Sequence, residues 1–192
     1  MSQHYRLRYS CDMVAGVKYR DIVRETAFDQ YGFFTTRDAI EAGIPAGELP
    51  KLAARGGLEN VAYGLYRVPE VPPTDFDQFA EAIFRVGEGA YLHRESVLTL
   101  FRLADVNPRQ VSVAVARRVR SKLPAFIRLT VVKAGARTTI YHGIRSQLVV
   151  DALIECQGRI ERERLYEAAA QARADGLLTT SEWQLVQGCL GA

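Results

Sequence analysis

The segment YGFFTTRDAIEAGIPAGELPKLAARGGLENVAYGLYRVP, from Tyr31 to Pro69, switches from helical to strand-like patterning within a span so short that its elements must pack directly on one another. Thr35 and Asp38 stand at capping-box spacing and predict a helix from Thr36, with Ala39 and Ile40 as its apolar side and Gly43 as its stop. Ile44 fills the corner that follows. Pro45 suits a first helical position, and Leu49, Leu52 and Ala53 recur at i, i+3 and i+4, so a second helix faces these three inward and turns Gly47, Lys51, Ala54 and Arg55 outward. Beyond Gly56-Gly57, Leu58 to Ala62 and Leu65 to Val68 read as two strands joined at Tyr63-Gly64. Upstream, Tyr19, Ile22, Val23 and Ala27 give a further helix between Lys18 and Gln30. Helix, helix-turn-helix pair and hairpin in this order predict a winged helix-turn-helix over residues 18–70, a module whose commonest use is to hold one helix in a DNA groove.

The chain has 192 residues, 48% of them hydrophobic and 24% charged, which leaves room for a second, larger domain. Val71-Pro72-Pro73 holds the only Pro-Pro pair and marks the boundary, because neither a helix nor a strand continues through it. From residue 74 to residue 192 the patterning alternates between helix and strand. Thr74 opens a helix to about Val86 with Phe76, Phe79, Ala80 and Ile83 or Phe84 inside, and a second helix spans Arg94 to Leu103, ending before Asn107-Pro108. Val111, Val113 and Val115 alternate with small residues, and Phe126 to Val132 is β-rich, so two strands flank the basic turn RRVRSKLP; Thr138 to Ile144 gives a third strand. Three helices follow: Leu148–Gln157, Arg162–Ala174, and one opened by Thr179 with Glu182 at capping-box spacing. The expected fold class is α+β, a winged helix-turn-helix followed by a mixed α+β domain, with residues 1–17 an extended or poorly ordered arm that reads as a solvated tail ahead of a phosphate contact by Arg6 and Arg8.

No apolar run approaches a membrane span, and the first residues lack a secretory core, so a cytoplasmic protein is expected. Cys11, Cys156 and Cys189 are too far apart for a ligand pair, which predicts free thiols and neither metal nor cofactor. The net charge of +3 conceals an asymmetry: residues 1–69 carry nine basic and eight acidic groups, whereas residues 106–150 carry nine basic groups and no acid. Anion affinity should concentrate in that second stretch, at Arg117, Arg118, Arg120, Lys122, Arg128 and Lys133, facing either DNA or an acidic protein. In the first module, Thr36, Arg37, Gly47, Lys51, Arg55, Tyr63 and Arg67 are the candidate DNA contacts, with Glu48 and the mid-helix Pro50 standing against simple groove insertion.

Other constellations read as structure. His93, Glu95 and Ser96 fit a helix cap and first turn; Asp151 with Glu155, and Glu161, Glu163 and Glu167 beside Arg159, Arg162 and Arg164, fit solvated helix faces; Trp183, Leu185 and Val186 fit a core. Gly87-Glu88-Gly89 lacks the third glycine and the Lys-Ser/Thr pair of a phosphate loop. No catalytic residue stands out.

Phe34 to Ile44 (FTTRDAIEAGI), Leu49 to Gly56 with Leu52 inside it, and the closing strand Gly64 to Pro69 together resemble the winged module of the AbiEi-type antitoxins of type IV toxin-antitoxin systems. HRESVLTLFRLADVNP looks like the helix that follows the linker in that family. The resemblance implies a protein that represses its own operon by binding promoter double-stranded DNA and, through its second domain, neutralises a nucleotidyltransferase-like toxin. A stand-alone winged-helix regulator, or an enzyme that inactivates the toxin by covalent modification such as phosphoryl transfer, remain the alternatives open to the sequence.

Overall fold

The computed structural model describes residues 19–45, 47–103, 109–120 and 122–191. The expected N-terminal arm therefore lies outside the described residues, as does Asn107-Pro108. The chain divides into two compact units, Met1–Pro72 and Pro73–Ala192. Among the described residues it is a mixed α+β protein with eight helices and two sheets.

Unit 1 contains α1 (Tyr19–Phe28), β1 (Phe33–Thr35), α2 (Thr36–Glu41), α3 (Glu48–Ala54), β2 (Glu59–Ala62) and β3 (Leu65–Arg67). The Thr35 side chain accepts from Asp38 N at 3.1 Å and the Asp38 carboxylate accepts from Thr35 N at 2.7 Å, a reciprocal cap of the kind whose loss costs about 1 kcal/mol. At the other end Ile44 N donates to Ala39 O and Gly43 N to Ile40 O, at 2.8 and 3.1 Å, with Gly43 at φ +71°. This double closure stops α2 at the predicted residue and turns Ile44 into the core. Leu49, Leu52 and Ala53 join it there, with Val23, Ala27, Phe34, Leu58, Tyr66, Val68 and Val71.

Three details differ from the sequence expectation. Pro45 is not the first helical residue: α3 begins at Glu48, which places Pro50 in the first turn, where its missing N–H has no helical partner to lose. Ile40 is 68% exposed, so Ala39 alone supplies the buried side of α2; the helix is too short to bury both. Phe33–Thr35 forms a strand that the sequence reading did not assign: β1 pairs antiparallel with β3, making the sheet β1-β3-β2 and putting the hairpin in the same hydrogen-bonded layer as the α2 cap.

Unit 2 contains α4 (Asp77–Val86), β4 (Tyr91–Leu92), α5 (Glu95–Leu100), β5 (Val111–Val115), β6 (Ile127–Val131), β7 (Thr138–Tyr141), β8 (Ile144–Gln147), α6 (Val149–Glu155), α7 (Arg162–Ala174) and α8 (Thr180–Leu190). Its sheet runs β6-β5-β4-β8-β7, with β5/β6 and β4/β8 parallel and the other neighbours antiparallel. All five residues of β5 are buried, so the alternation of valines with Ser112 and Ala114 marks two covered faces rather than one wet and one dry. The expected single strand Thr138–Ile144 is a hairpin, β7 and β8, turned at His142-Gly143. The RRVRSKLP segment joins parallel strands, so it carries the chain back along the sheet instead of reversing it. Of the three residues expected inside α8, Val186 is buried, Trp183 is half-buried against Tyr166, and Leu185 is 50% exposed.

A polar cluster ties β4, β8, α5 and α6 together, where sequence reasoning expected a helix cap and a solvated face. His93 is buried, its Nε2 2.8 Å from Glu155 Oε2; Gln147 Nε2 donates to Glu155 Oε1 at 2.7 Å and Arg94 Nε to Oε2 at 3.2 Å. Glu95 holds Arg159, and Ser96 Oγ accepts from Ser112 N at 2.7 Å. Arg94, at the N-cap of α5, has φ +51° and caps nothing with its side chain; the bond from its N–H to Gln147 Oε1 and the bond to Glu155 hold that backbone in place. The contacts of His93 and Arg94 with Glu155 and of Glu95 with Arg159 join residues just over sixty positions apart in sequence, which is why no local spacing revealed them. Burial also raises the Cys156 thiol to about 12, leaving it inert.

Burial lowers the His93 pKa below the usual imidazole value, the Arg94 charge acting in the same direction against the pull of Glu155 and Glu95. A depressed folded-state pKa adds stability that is complete above the unfolded value and is lost as pH falls toward the folded one. The urea midpoint of unit 2 should therefore drop as pH falls below the ordinary imidazole range, and His93→Gln, which keeps a donor toward Glu155, should remove that part of the slope. An unchanged slope in the folded variant would mean that His93 does not carry it.

Candidate nucleic-acid interface

The hairpin of unit 1 is fixed to α2 by its turn. Thr36 donates twice to Gly64 O, from its backbone N at 2.9 Å and from Oγ1 at 3.3 Å. Gly64 has φ +70°, and a Cβ there would lie 3.0 Å from Thr36 Oγ1, so the turn takes glycine both for its backbone and for the closeness of the helix start. With its proton committed to Gly64, the Thr36 hydroxyl positions the hairpin. Tyr63, at the tip, is fully exposed.

The candidate cations of this unit differ in how occupied they are. Arg37 pairs with Glu41 at 3.0 Å and Lys51 with Glu48 at 2.8 Å, both near helix-surface spacing. The Arg67 guanidinium lies 5.4 Å from the centre of the Phe33 ring, half-buried. Arg55, the C-cap residue of α3, is exposed and makes no ion pair among the described residues. Gly47, Pro50, Lys51, Ala54 and Arg55 are all exposed, so α3 presents an outward face with one free guanidinium and one ammonium shared with Glu48. Ile40, expected in the core, adds an exposed apolar group to α2 beside Arg37.

In unit 2 the acid-free stretch is not wholly uncompensated. Arg137 pairs with Asp151, and Arg117 lies 3.9 Å from Glu88. Distant segments thus supply acids that the local sequence lacks. Arg118, Arg120, Lys122, Arg128 and Lys133 are exposed and make no ion pair among the described residues. The two sets of candidate residues therefore lie on different units: Thr36, Arg37, Gly47, Lys51, Arg55, Tyr63 and Arg67 on unit 1, the basic patch on unit 2.

Gly64→Ala should destabilise unit 1 by about 2 kcal/mol, adding the close approach to Thr36 to the cost of the left-handed backbone. Gly43→Ala shares that backbone, at φ +71° with nothing within 4 Å of the added Cβ, and should cost about 1 kcal/mol. Urea unfolding followed by circular dichroism measures the difference; equal losses would remove the Thr36 contact from the account.

No helix among the described residues is long and apolar enough to cross a membrane. No curated protein matches the chain. Residues 21–69 match a family model described as "Transcriptional regulator, AbiEi antitoxin", a match that runs from within α1 to just past β3 and so takes in the capped α2, α3 and the hairpin. Over this segment, about a quarter of the chain, the protein is similar to the AbiEi antitoxin transcriptional regulators.

Proposed function

We propose that the chain is the antitoxin and promoter-binding regulator of a toxin-antitoxin pair, with unit 1 acting as a winged helix-turn-helix. In this reading α2 and α3 form the helix-turn-helix, α3 enters the major groove, and the β2–β3 hairpin is the wing whose Tyr63 tip reaches the flanking backbone or minor groove. The observation that carries it is the outward face of α3, where Arg55 stands without an ion pair beside Lys51, on a helix whose opposite side is locked into the core by Leu49. The family match over residues 21–69 supports the same assignment. Unit 2 then meets the toxin, which the AbiEi resemblance makes a nucleotidyltransferase-like protein, in the cytoplasm. Because unit 1 is nearly neutral, its DNA affinity draws on few phosphate contacts.

The charge arrangement ranks the contacts. Lys51 must exchange Glu48 for phosphate, whereas Arg55 gives up only water, so Arg55→Ala should weaken promoter binding more than Lys51→Ala. Each lost phosphate contact should also lower the slope of log affinity against log salt by roughly 0.9. Gel-shift titrations of the upstream promoter duplex at several salt concentrations measure both. A folded Lys51→Ala, Arg55→Ala protein with the wild-type midpoint and slope would refute DNA binding by α3.

A further inference from the structure

Among the described residues, strand β6 lies at the edge of the unit 2 sheet and pairs with β5 alone. Phe126 O accepts from Val111 N at 2.6 Å and Val132 N donates to Val115 O at 3.0 Å, so positions 126 and 132 turn their backbone groups toward β5. The two-residue alternation of a parallel ladder puts 128 and 130 on the same side and directs the N–H and C=O of Leu129 and Val131 away from the sheet. Cations frame this edge: Arg118, Arg120 and Lys122 precede it, Arg128 lies within it and Lys133 follows, all exposed and without an ion pair among the described residues. Val131 is itself 55% exposed.

Sheet edges are ordinarily kept from pairing by charge, and a few cations would serve that purpose. Five in one stretch of sequence, none in an ion pair among the described residues, go further, since they repel one another and lower the energy of any negative group that approaches. We propose that β6 is a docking strand, to which an extended, acidic segment of a protein partner adds as a sixth strand. Leu129 and Val131 supply the main-chain hydrogen bonds, Arg128 and Lys133 the charge selection. A second copy of the chain is the wrong occupant, because pairing β6 with itself brings these cations together. Nucleic acid suits the edge less well than a peptide: phosphate offers only acceptors, and half the outward groups of β6 are carbonyls, which a strand's N–H groups can meet and a phosphate cannot. The inference rests on the proposed antitoxin role only for the expectation that a protein partner exists.

The test uses the full chain and a fluorescein-labelled decapeptide of alternating glutamate and threonine. Binding should weaken with salt, and the same peptide with lysine in place of glutamate should not bind. Hydrogen exchange at the Leu129 and Val131 amides should slow when the glutamate peptide is added, a readout that needs no variant. Val131→Pro removes an outward N–H and no bond to β5, the one setting in which a sheet tolerates proline, so it should weaken the peptide about tenfold with the melting temperature unchanged. Wild-type affinity in Val131→Pro, or unaltered amide exchange, would overturn the docking strand and leave a bare charge patch. Binding of a short DNA duplex in place of the peptide, lost in Arg128→Glu, would make the patch a nucleic-acid site instead. Promoter binding by unit 1 is read separately: its absence alongside intact peptide binding would fault the regulatory role and leave the docking strand standing.

Discussion

The two hydrogen bonds from Thr36 to Gly64 O govern how unit 1 presents itself. They join the first residue of α2 to the turn of the hairpin, and the Thr35–Asp38 cap fixes that same residue from the other side. Helix start, strand β1 and hairpin tip thus become one rigid corner. Beyond that corner stand the closed turn at Gly43 and the buried Ile44, and the packing of Ile44 and Leu49 in one core holds the direction of α3. A helix of seven residues has little stability of its own; tertiary burial of one face keeps it formed and keeps Arg55 outward.

The two units differ in the charge they present. In unit 1 the acids Glu41 and Glu48 hold two of the cations that sequence alone would assign to DNA, leaving a surface with modest attraction and a strong demand on shape. Modest phosphate attraction favours discrimination, because non-specific affinity comes almost entirely from that term. In unit 2 the attraction is large and its shape is a strand edge. In the proposed reading, the cation row beside outward-facing main-chain groups meets an extended protein segment and the α3 face meets a groove.

The elements most legible in the sequence were those specified by neighbours. The caps at Thr35 and Thr179, the stop at Gly43 and the inward set Leu49, Leu52 and Ala53 are local, set by spacings of three or four residues, and the structure has them where expected. What escaped depended on partners distant in the chain. Strand β1 exists because β3 pairs with it, and the buried cluster around His93 exists because Glu155 and Gln147 arrive from α6 and β8. The parallel pairing of β5 with β6 turned an expected basic turn into a crossover and exposed an edge that no periodicity announced. The charge asymmetry was visible throughout, but its spatial compensation by Glu88 and Asp151 was not.

The central claim is that DNA is read by the α3 face and the hairpin of unit 1. An amide chemical-shift titration of the isotope-labelled full chain with its upstream promoter duplex tests it most directly. The account predicts saturable shifts concentrated between Gly47 and Arg55 and between Asn60 and Arg67, with Asp21 and Glu25 of α1 and Asp29 just after it little changed because phosphate avoids these carboxylates. Shifts confined to unit 2, or none at α3 at saturating duplex, would contradict it.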